Sequence, residues 1–310
     1  MTAPITETIP DALVGERIDR VVAVVCGCTR ADAARLVDEG RVEINDGAVR
    51  ARARRVVLGD RISVRPFPPI ADARPGPDAT VEFNVVYEDA QVLVIDKPAG
   101  LVVHPGSGNQ DGTLVHGLLA RYPELATLAV GDAAIRPGIV HRLDKGTSGL
   151  LMVGRDAATV RALIDQLAAR SVSRHYLALA WGRFESTSGL IDAAVGRSDA
   201  DPTKMTVSAS GKEARTRYRV EQSFSTPDPI ALVECWLETG RTHQIRVHLA
   251  AIGHPVVGDA RYGGARNAVH SPRPWLHAYS LAFNHPTTGE RLTFRSDVPA
   301  DLAAVLQGLR

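Results

Sequence analysis

Asp144 is the side chain that its surroundings in the sequence best equip for chemistry. It is the sole carboxylate between Asp132 and Asp156, and four cations, Arg136, Arg142, Lys145 and Arg155, share that interval. A cation packed nearby favours the charged carboxylate, and an ionised aspartate suits a nucleophile or a base better than a general acid. Pro137-Gly138 ahead of it and Gly146 and Gly149 behind it allow an irregular turn leading into the apolar run Leu150 to Val153. Such a turn can present a side chain to a ligand. An aspartate that only closes a turn with its flanking arginine would leave the same pattern.

Other chemistries find less support. His243 and His248 are five apart, which on a helix points them to different faces, and no carboxylate sits between them at metalloprotease spacing. Gly106-Ser107-Gly108 is a glycine turn rather than the Gly-x-Ser-x-Gly elbow of a hydrolase. Neither a GxGxxG fingerprint nor a P-loop occurs. Cys26, Cys28 and Cys235 are too few and too unevenly placed for a disulfide framework or a zinc site, so reduced thiols in a cytoplasmic protein are expected. No apolar run approaches the roughly 18 residues of a membrane span, and the first basic residue, Arg17, comes too late for a signal peptide.

The 310 residues carry 36 Lys+Arg against 35 Asp+Glu, a net charge of +1. That balance excludes a protein basic all over, so a polyanion has to be recognised by local charge. Three stretches offer it. Residues 41 to 65 hold seven arginines, among them Arg41, Arg50 and Arg65, against three acids. Residues 141 to 183 hold seven Lys+Arg against Asp144, Asp156 and Asp165, and residues 203 to 220 hold five against Glu213.

The elements that must position Asp144 fall into two units. Pro66, Pro68, Pro69, Pro75 and Pro77 crowd an extended spacer over 66–79. Ahead of it, Ile18, Val21, Val22 and Val25 recur at helical spacing, and a second helix fits Ala31 to Val37, with Thr29 as its cap and Gly40 as its stop. Val42 and Ile44, the Asp46-Gly47 turn, Val49, then Val56, Val57, Ile62 and Val64 read as short strands. Behind the spacer, Val85 to Asp96 reads as a hairpin broken at Asp89-Ala90. Helices fit Leu114 to Tyr122 and Ala157 to Ala169, and strands fit Gly149 to Val153, Tyr176 to Trp181 and Ala231 to Leu237. Ile245, Leu249 and Ile252 suit a short helix begun near Thr242. Strands outnumber helices without regular βα alternation, which predicts an α+β fold with a mostly antiparallel mixed sheet.

Residues 15–65 resemble the S-four domain, a small RNA-binding module first recognised in a small-subunit ribosomal protein. The likeness lies in Arg17-Ile18-Asp19-Arg20, Thr29-Arg30, Leu36-Val37-x-x-Gly40-Arg41-Val42-x-Ile44-Asn45 and Gly59-Asp60-x-Ile62. It implies Arg30, Arg35 and Arg41 as phosphate contacts. His141-Arg142-Leu143-Asp144-Lys145-x-Thr147-Ser148-Gly149-Leu150-Leu151 resembles the signature of the RluA-type RNA pseudouridine synthases, over eleven consecutive positions with one free site. Asp96-Lys97-Pro98-Ala99-Gly100-Leu101, Arg174-His175-Tyr176-x-Ala178-Leu179, Gly240-Arg241-Thr242-His243-Gln244-Ile245-Arg246 and Gly253-His254-Pro255-x-x-Gly258-Asp259 follow in that family's order. Position 174 is Arg where that family often has lysine.

The resemblance implies an 80–310 catalytic domain that isomerises uridine to pseudouridine without cofactor or metal. It makes Asp144 the catalytic residue, acting as nucleophile or as base. Tyr176 would stack on the uracil, Arg246 would pair with Asp144, Arg142 would fill the gap left by the flipped nucleotide, and His141 would position its neighbours. The expected partner is RNA, ribosomal from the large subunit or else transfer RNA, with no membrane and a monomeric enzyme. Two competing readings are a non-catalytic RNA-binding or ribosome-assembly factor, and a glycosidase-like hydrolase using Asp144, which would need a partner carboxylate.

Overall fold

The computed structural model describes residues 4–28, 30–65, 74–106, 109–128, 134–198, 200–201 and 203–310. The chain divides into two compact units, Met1–Ala73 and Arg74–Arg310. Most of the spacer expected over 66–79, and Thr29 and the Ser107-Gly108 pair, lie outside the described residues.

In the first unit the apolar spacings form β1 (Ile5–Thr8), α1 (Ile18–Cys26), α2 (Arg30–Asp38), β2 (Val42–Ile44), β3 (Gly47–Val49) and β4 (Arg61–Val64). The antiparallel sheet runs β1-β4-β2-β3. Asn45 and Asp46 both take positive φ, 49° and 66°, the two-residue hairpin turn whose twist matches the strands it joins. Ile18, Val21, Val22, Leu36 and Val37 pack from the helices onto Val42, Ile44, Ile62 and Val64. Two details differ from expectation. β1 lies ahead of residue 15, and it escaped notice because its side chains are mostly exposed and carry no apolar alternation. Val56 is buried but Val57 is 60% exposed, because Asp60 folds the segment into a turn by accepting the Val57 N–H at 3.0 Å.

The second unit contains β5 (Asn84–Glu88), β6 (Val92–Lys97), α3 (Leu114–Arg121), β7 (Ser148–Gly154), α4 (Ala157–Ala168), β8 (Ser173–Trp181) and β9 (Ser188–Asp192). It continues with β10 (Val195–Arg197), β11 (Met205–Val207), β12 (Arg215–Phe224), β13 (Ile230–Leu237), α5 (Gln244–Ala251), β14 (Leu276–Asn284), β15 (Arg291–Arg295) and α6 (Ala300–Gln307). Among the described residues the main sheet has nine strands in the order β5-β6-β7-β14-β8-β13-β12-β9, with β15 also on β14. All its pairings are antiparallel except β7 with β14, giving the mostly antiparallel α+β architecture expected.

β6 and β7 are covered on both faces, which explains their unbroken apolar runs. Leu93, Ile95, Leu151 and Val153 share one core with Leu114 and Leu118 of α3, while Val92, Val94, Leu150 and Met152 share another with Leu163 of α4. The parallel contact of β7 with β14 brings the backbones so close that a Cβ on Gly149 would collide with the Ala278 carbonyl. Gly149 also has φ +113°, so glycine is required where the loop carrying Asp144 enters the sheet.

Candidate active site

Asp144 sits in the loop before β7, and three separate attachments fix that loop. Its own carbonyl accepts the Thr147 N–H at 3.0 Å, and the Lys145 carbonyl accepts the Gly100 N–H at 2.7 Å. Arg273 donates to the Gly146 carbonyl at 3.0 Å and to Ser148 Oγ at 3.1 Å, while its other edge pairs with Asp301 on α6 at 2.6 Å. Upstream, His141 Nε2 accepts the Met152 N–H at 3.1 Å. Burial, with Arg174 adding to it, pulls the His141 pKa down to about 3, so the ring stays neutral and serves as an acceptor.

The carboxylate itself is held by Arg246. Arg246 Nη1 donates to Asp144 Oδ2 at 3.0 Å, while Nε and Nη2 make a two-point contact with Asp259 at 2.6 and 2.9 Å. Arg246 is 8% exposed and Asp259 only 1%. Burial works against the guanidinium charge, but the carboxylates of Asp259 and Asp144 outweigh it and raise the Arg246 pKa. Asp259 completes its hydrogen bonding with the N–H groups of Arg261 and Tyr262 at 3.1 and 3.3 Å. The Tyr262 ring lies 5.1 Å from the guanidinium carbon, and its hydroxyl meets His243 Nδ1 at 2.8 Å.

The start of α5 is set by Gln244. Its amide oxygen accepts from Arg241 N and Thr239 Oγ1, and its amide nitrogen donates to the Arg215 carbonyl and Thr216 Oγ1. The chain enters the helix through His243 in the left-handed region, at φ 58°. The helix expected from near Thr242 therefore starts at Gln244.

A cavity of about 490 Å³ opens beside Asp144, lined by Tyr176, Arg142, Arg136, Arg174 and Arg241 among others. Tyr176 is largely buried on β8 yet forms part of this wall. Burial drives its pKa up to about 12, with Arg174 opposing and Asp144 adding to the shift, so the phenol keeps its proton. Arg142 is exposed and has no hydrogen-bonding partner among the described residues. A second opening of about 490 Å³, on Lys145, His243, Arg246 and Arg261, also reaches Asp144 and Arg142. Behind the loop the Lys97 ammonium is fully buried and donates to the Pro98 and Leu101 carbonyls at 2.8 and 2.9 Å. Burial lowers its pKa to about 7, against the pull of Asp144.

The structure thus brings together Asp144, Arg246, Tyr176 and Arg142. Arg35 and Arg41 belong to the first unit, where both approach Glu39, at 3.6 and 3.3 Å. The side chain of Arg30 lies outside the described residues. His248 is a buried structural group bonded to Thr216 and the Ala193 carbonyl. Among the described residues no three His, Cys, Asp or Glu gather as a metal site, and no helix is long and apolar enough to cross a membrane. Sequence reasoning did not single out Asp259, Tyr262, Arg273 or Asp301 for a role. Asp259 ends the stretch Gly253-His254-Pro255-x-x-Gly258-Asp259, but no local period ties it to Arg246.

The profile of the RNA pseudouridylate synthase family matches residues 91–251. An RNA pseudouridine synthase of Bacillus subtilis is 41% identical over 297 residues, covering 95% of this chain and 94% of that protein. Ribosomal large subunit pseudouridine synthase D of Nitrosomonas europaea is 41% identical over 311 residues, covering 98% of this chain and 87% of that one. Human RNA pseudouridylate synthase domain containing 1 has a similar solved structure, with a TM-score of 0.55 and 30% identity over 71% of this chain and 85% of that one.

His141 makes acid stability testable. The folded chain protonates it only near pH 3, whereas its ordinary value is 6.5. Between those values the unfolded chain holds more protons, so stability falls as the pH drops through this window. His141→Gln keeps an acceptor for the Met152 N–H and removes the titration. Its urea-unfolding free energy should decline less steeply than that of the wild type below about pH 6.5, by up to about 1.4 kcal/mol per pH unit. Equal slopes would contradict a neutral His141.

Proposed function

This chain belongs to the RNA pseudouridine synthase family and is an isomerase of that class; from that premise we propose that it converts uridine to pseudouridine in large-subunit ribosomal RNA, with Asp144 as the catalytic residue. The observation that carries the role of Asp144 is its carboxylate held at 3.0 Å by a buried arginine, at the wall of a cavity shared with Tyr176. The ribosomal substrate is supported by relatives such as those of Nitrosomonas europaea and Xylella fastidiosa, both named ribosomal large subunit pseudouridine synthase D, each 41% identical over 98% of this chain. The free thiols of Cys26, Cys28 and Cys235 agree with a cytoplasmic enzyme.

In this reading the target nucleotide leaves its stack and its uracil lies against Tyr176, whose aromatic face holds a base while letting it turn. Arg142, exposed at the cavity rim, occupies the vacated place and offsets part of the unstacking cost. The Asp144 carboxylate attacks the ribose or removes a ribose proton, and either act requires its anionic form. The bond from ribose to nitrogen breaks and the uracil rotates; its carbon 5 then bonds to the ribose, which frees Asp144 from its ester or returns the ribose proton, and loss of the carbon 5 proton with uptake of one at the freed nitrogen completes the isomer. Arg246 limits the carboxylate to one orientation through these steps. The first unit acts as an S-four-like RNA-binding domain, with Arg30, Arg35 and Arg41 contacting phosphates.

Asp144→Asn should cut tritium release from RNA labelled at uridine carbon 5 by about a thousandfold or more while RNA affinity persists. Wild-type release from that variant would remove the catalytic assignment. Removing residues 1–73 is expected to raise KM for ribosomal RNA while isomerisation of short uridine-containing RNA stays measurable. An unchanged KM would count against the RNA-binding role of the first unit.

A further inference from the structure

The cavity beside Asp144 holds a charged group that the reaction described above leaves idle. Arg174 precedes Tyr176 by two positions on β8, so both side chains leave the same face of the sheet. It is 8% exposed, as deeply buried as Arg246. The difference lies in the partners. Arg246 meets two carboxylates, whereas among the described residues none pairs with Arg174. Among the described residues its side chain makes one hydrogen bond, from Nη2 to the Leu237 carbonyl at 3.3 Å, and its buried Nε finds no partner.

The carboxylates on the same cavity wall are engaged elsewhere. Glu213 pairs with Arg170 at 2.7 Å, and Glu238 with Arg215 and Arg217 at 3.1 and 2.7 Å. The Arg174 head group lies close against the backbone of Gly240, where a Cβ would come within 2.9 Å of Nη1. Burial presses its pKa down, with Tyr176 opposing, yet arginine stays charged at neutral pH. A buried, charged, half-satisfied guanidinium is costly in the free protein unless something arriving in the cavity supplies the counter-charge.

We propose that Arg174 is a phosphate-binding residue of the substrate site, taking a phosphodiester of the RNA strand at the uridine whose base rests on Tyr176. The proposal deepens the reading of Tyr176 as the base platform and rests on it. A neutral carbonyl of the base would satisfy the free N–H groups but leave the charge uncompensated. A phosphodiester does both, and its oxygens match the planar fork of a guanidinium. Same-face neighbours on a strand stand about 7 Å apart, which keeps the backbone of a nucleotide on Tyr176 within reach of Arg174.

Arg174→Met and Arg174→Lys test this with three measurements: the Tm of the free enzyme, the salt dependence of binding to a short oligouridylate, and kcat and KM for tritium release from unmodified large-subunit ribosomal RNA. Removing an unpaired cation should leave the Tm of Arg174→Met equal to or above that of the wild type. Its binding should lose about 0.7 of the slope of log affinity against log salt, the share of one phosphate contact on a single strand. KM should rise about tenfold or more, with kcat changed less. Arg174→Lys should restore the slope. An unchanged slope in Arg174→Met, whatever its Tm, would overturn the proposal. Should the wild type release no tritium from ribosomal RNA, the ribosomal substrate is wrong, and the oligouridylate slope still decides the role of Arg174.

Discussion

One guanidinium shared between two carboxylates organises the catalytic unit. Arg246 belongs to α5, Asp259 to the turn that follows it and Asp144 to a loop more than a hundred positions earlier in the chain, at |i−j| = 102 from Arg246. Taking three charges out of water is favourable only when geometry and hydrogen bonding are nearly complete. The two-point contact to Asp259 and the Tyr262 ring fix Arg246 first, which leaves Nη1 as the donor aimed at Asp144. The Asp144 carboxylate, the proposed catalytic group, is thus oriented by a group that is itself oriented, and its other oxygen is left without a bond to Arg246.

The remainder of the unit keeps that loop and that helix in register. Arg273 ties the loop to α6 through Asp301, and Lys97 draws the Pro98 and Leu101 carbonyls together behind it. Gln244 fixes the turn into α5. The sheet contributes through β7 and β14, whose close parallel approach at Gly149 sets where the loop ends. The cavity that results differs from a core in one respect: two arginines at its wall, Arg142 at the rim and Arg174 inside, have no carboxylate partner among the described residues, while their neighbour Arg170 does. A strand of phosphates is the natural complement to such a wall.

Much of this was legible in the residues alone. The run from His141 to Leu151 singled out the loop that carries Asp144, and the pairing of Asp144 with Arg246, expected from the family resemblance, is present at 3.0 Å. β6 and β7 were visible because strands covered on both faces become continuous apolar runs. β12 was not, because Arg215, Arg217 and Arg219 alternate along it and dilute its apolar period. β14 and α6 also went unread; their apolar residues, such as Phe283 and Leu302, join cores assembled from distant segments. Asp259, Arg273 and Asp301 were missed for a related reason: the roles of these charges are defined by contacts across the fold, and an isolated Asp or Arg is ordinarily read as surface. The burial of Arg174 was hidden in the same way.

Asp259 orients Arg246 and through it Asp144. The most direct test is kcat of Asp259→Asn at saturating RNA, with circular dichroism confirming that the variant is folded. The asparagine leaves a neutral group of nearly the same shape beside Arg246, so kcat should fall about a hundredfold with KM changed little. A folded Asp259→Asn enzyme that turns over at the wild-type rate would contradict it.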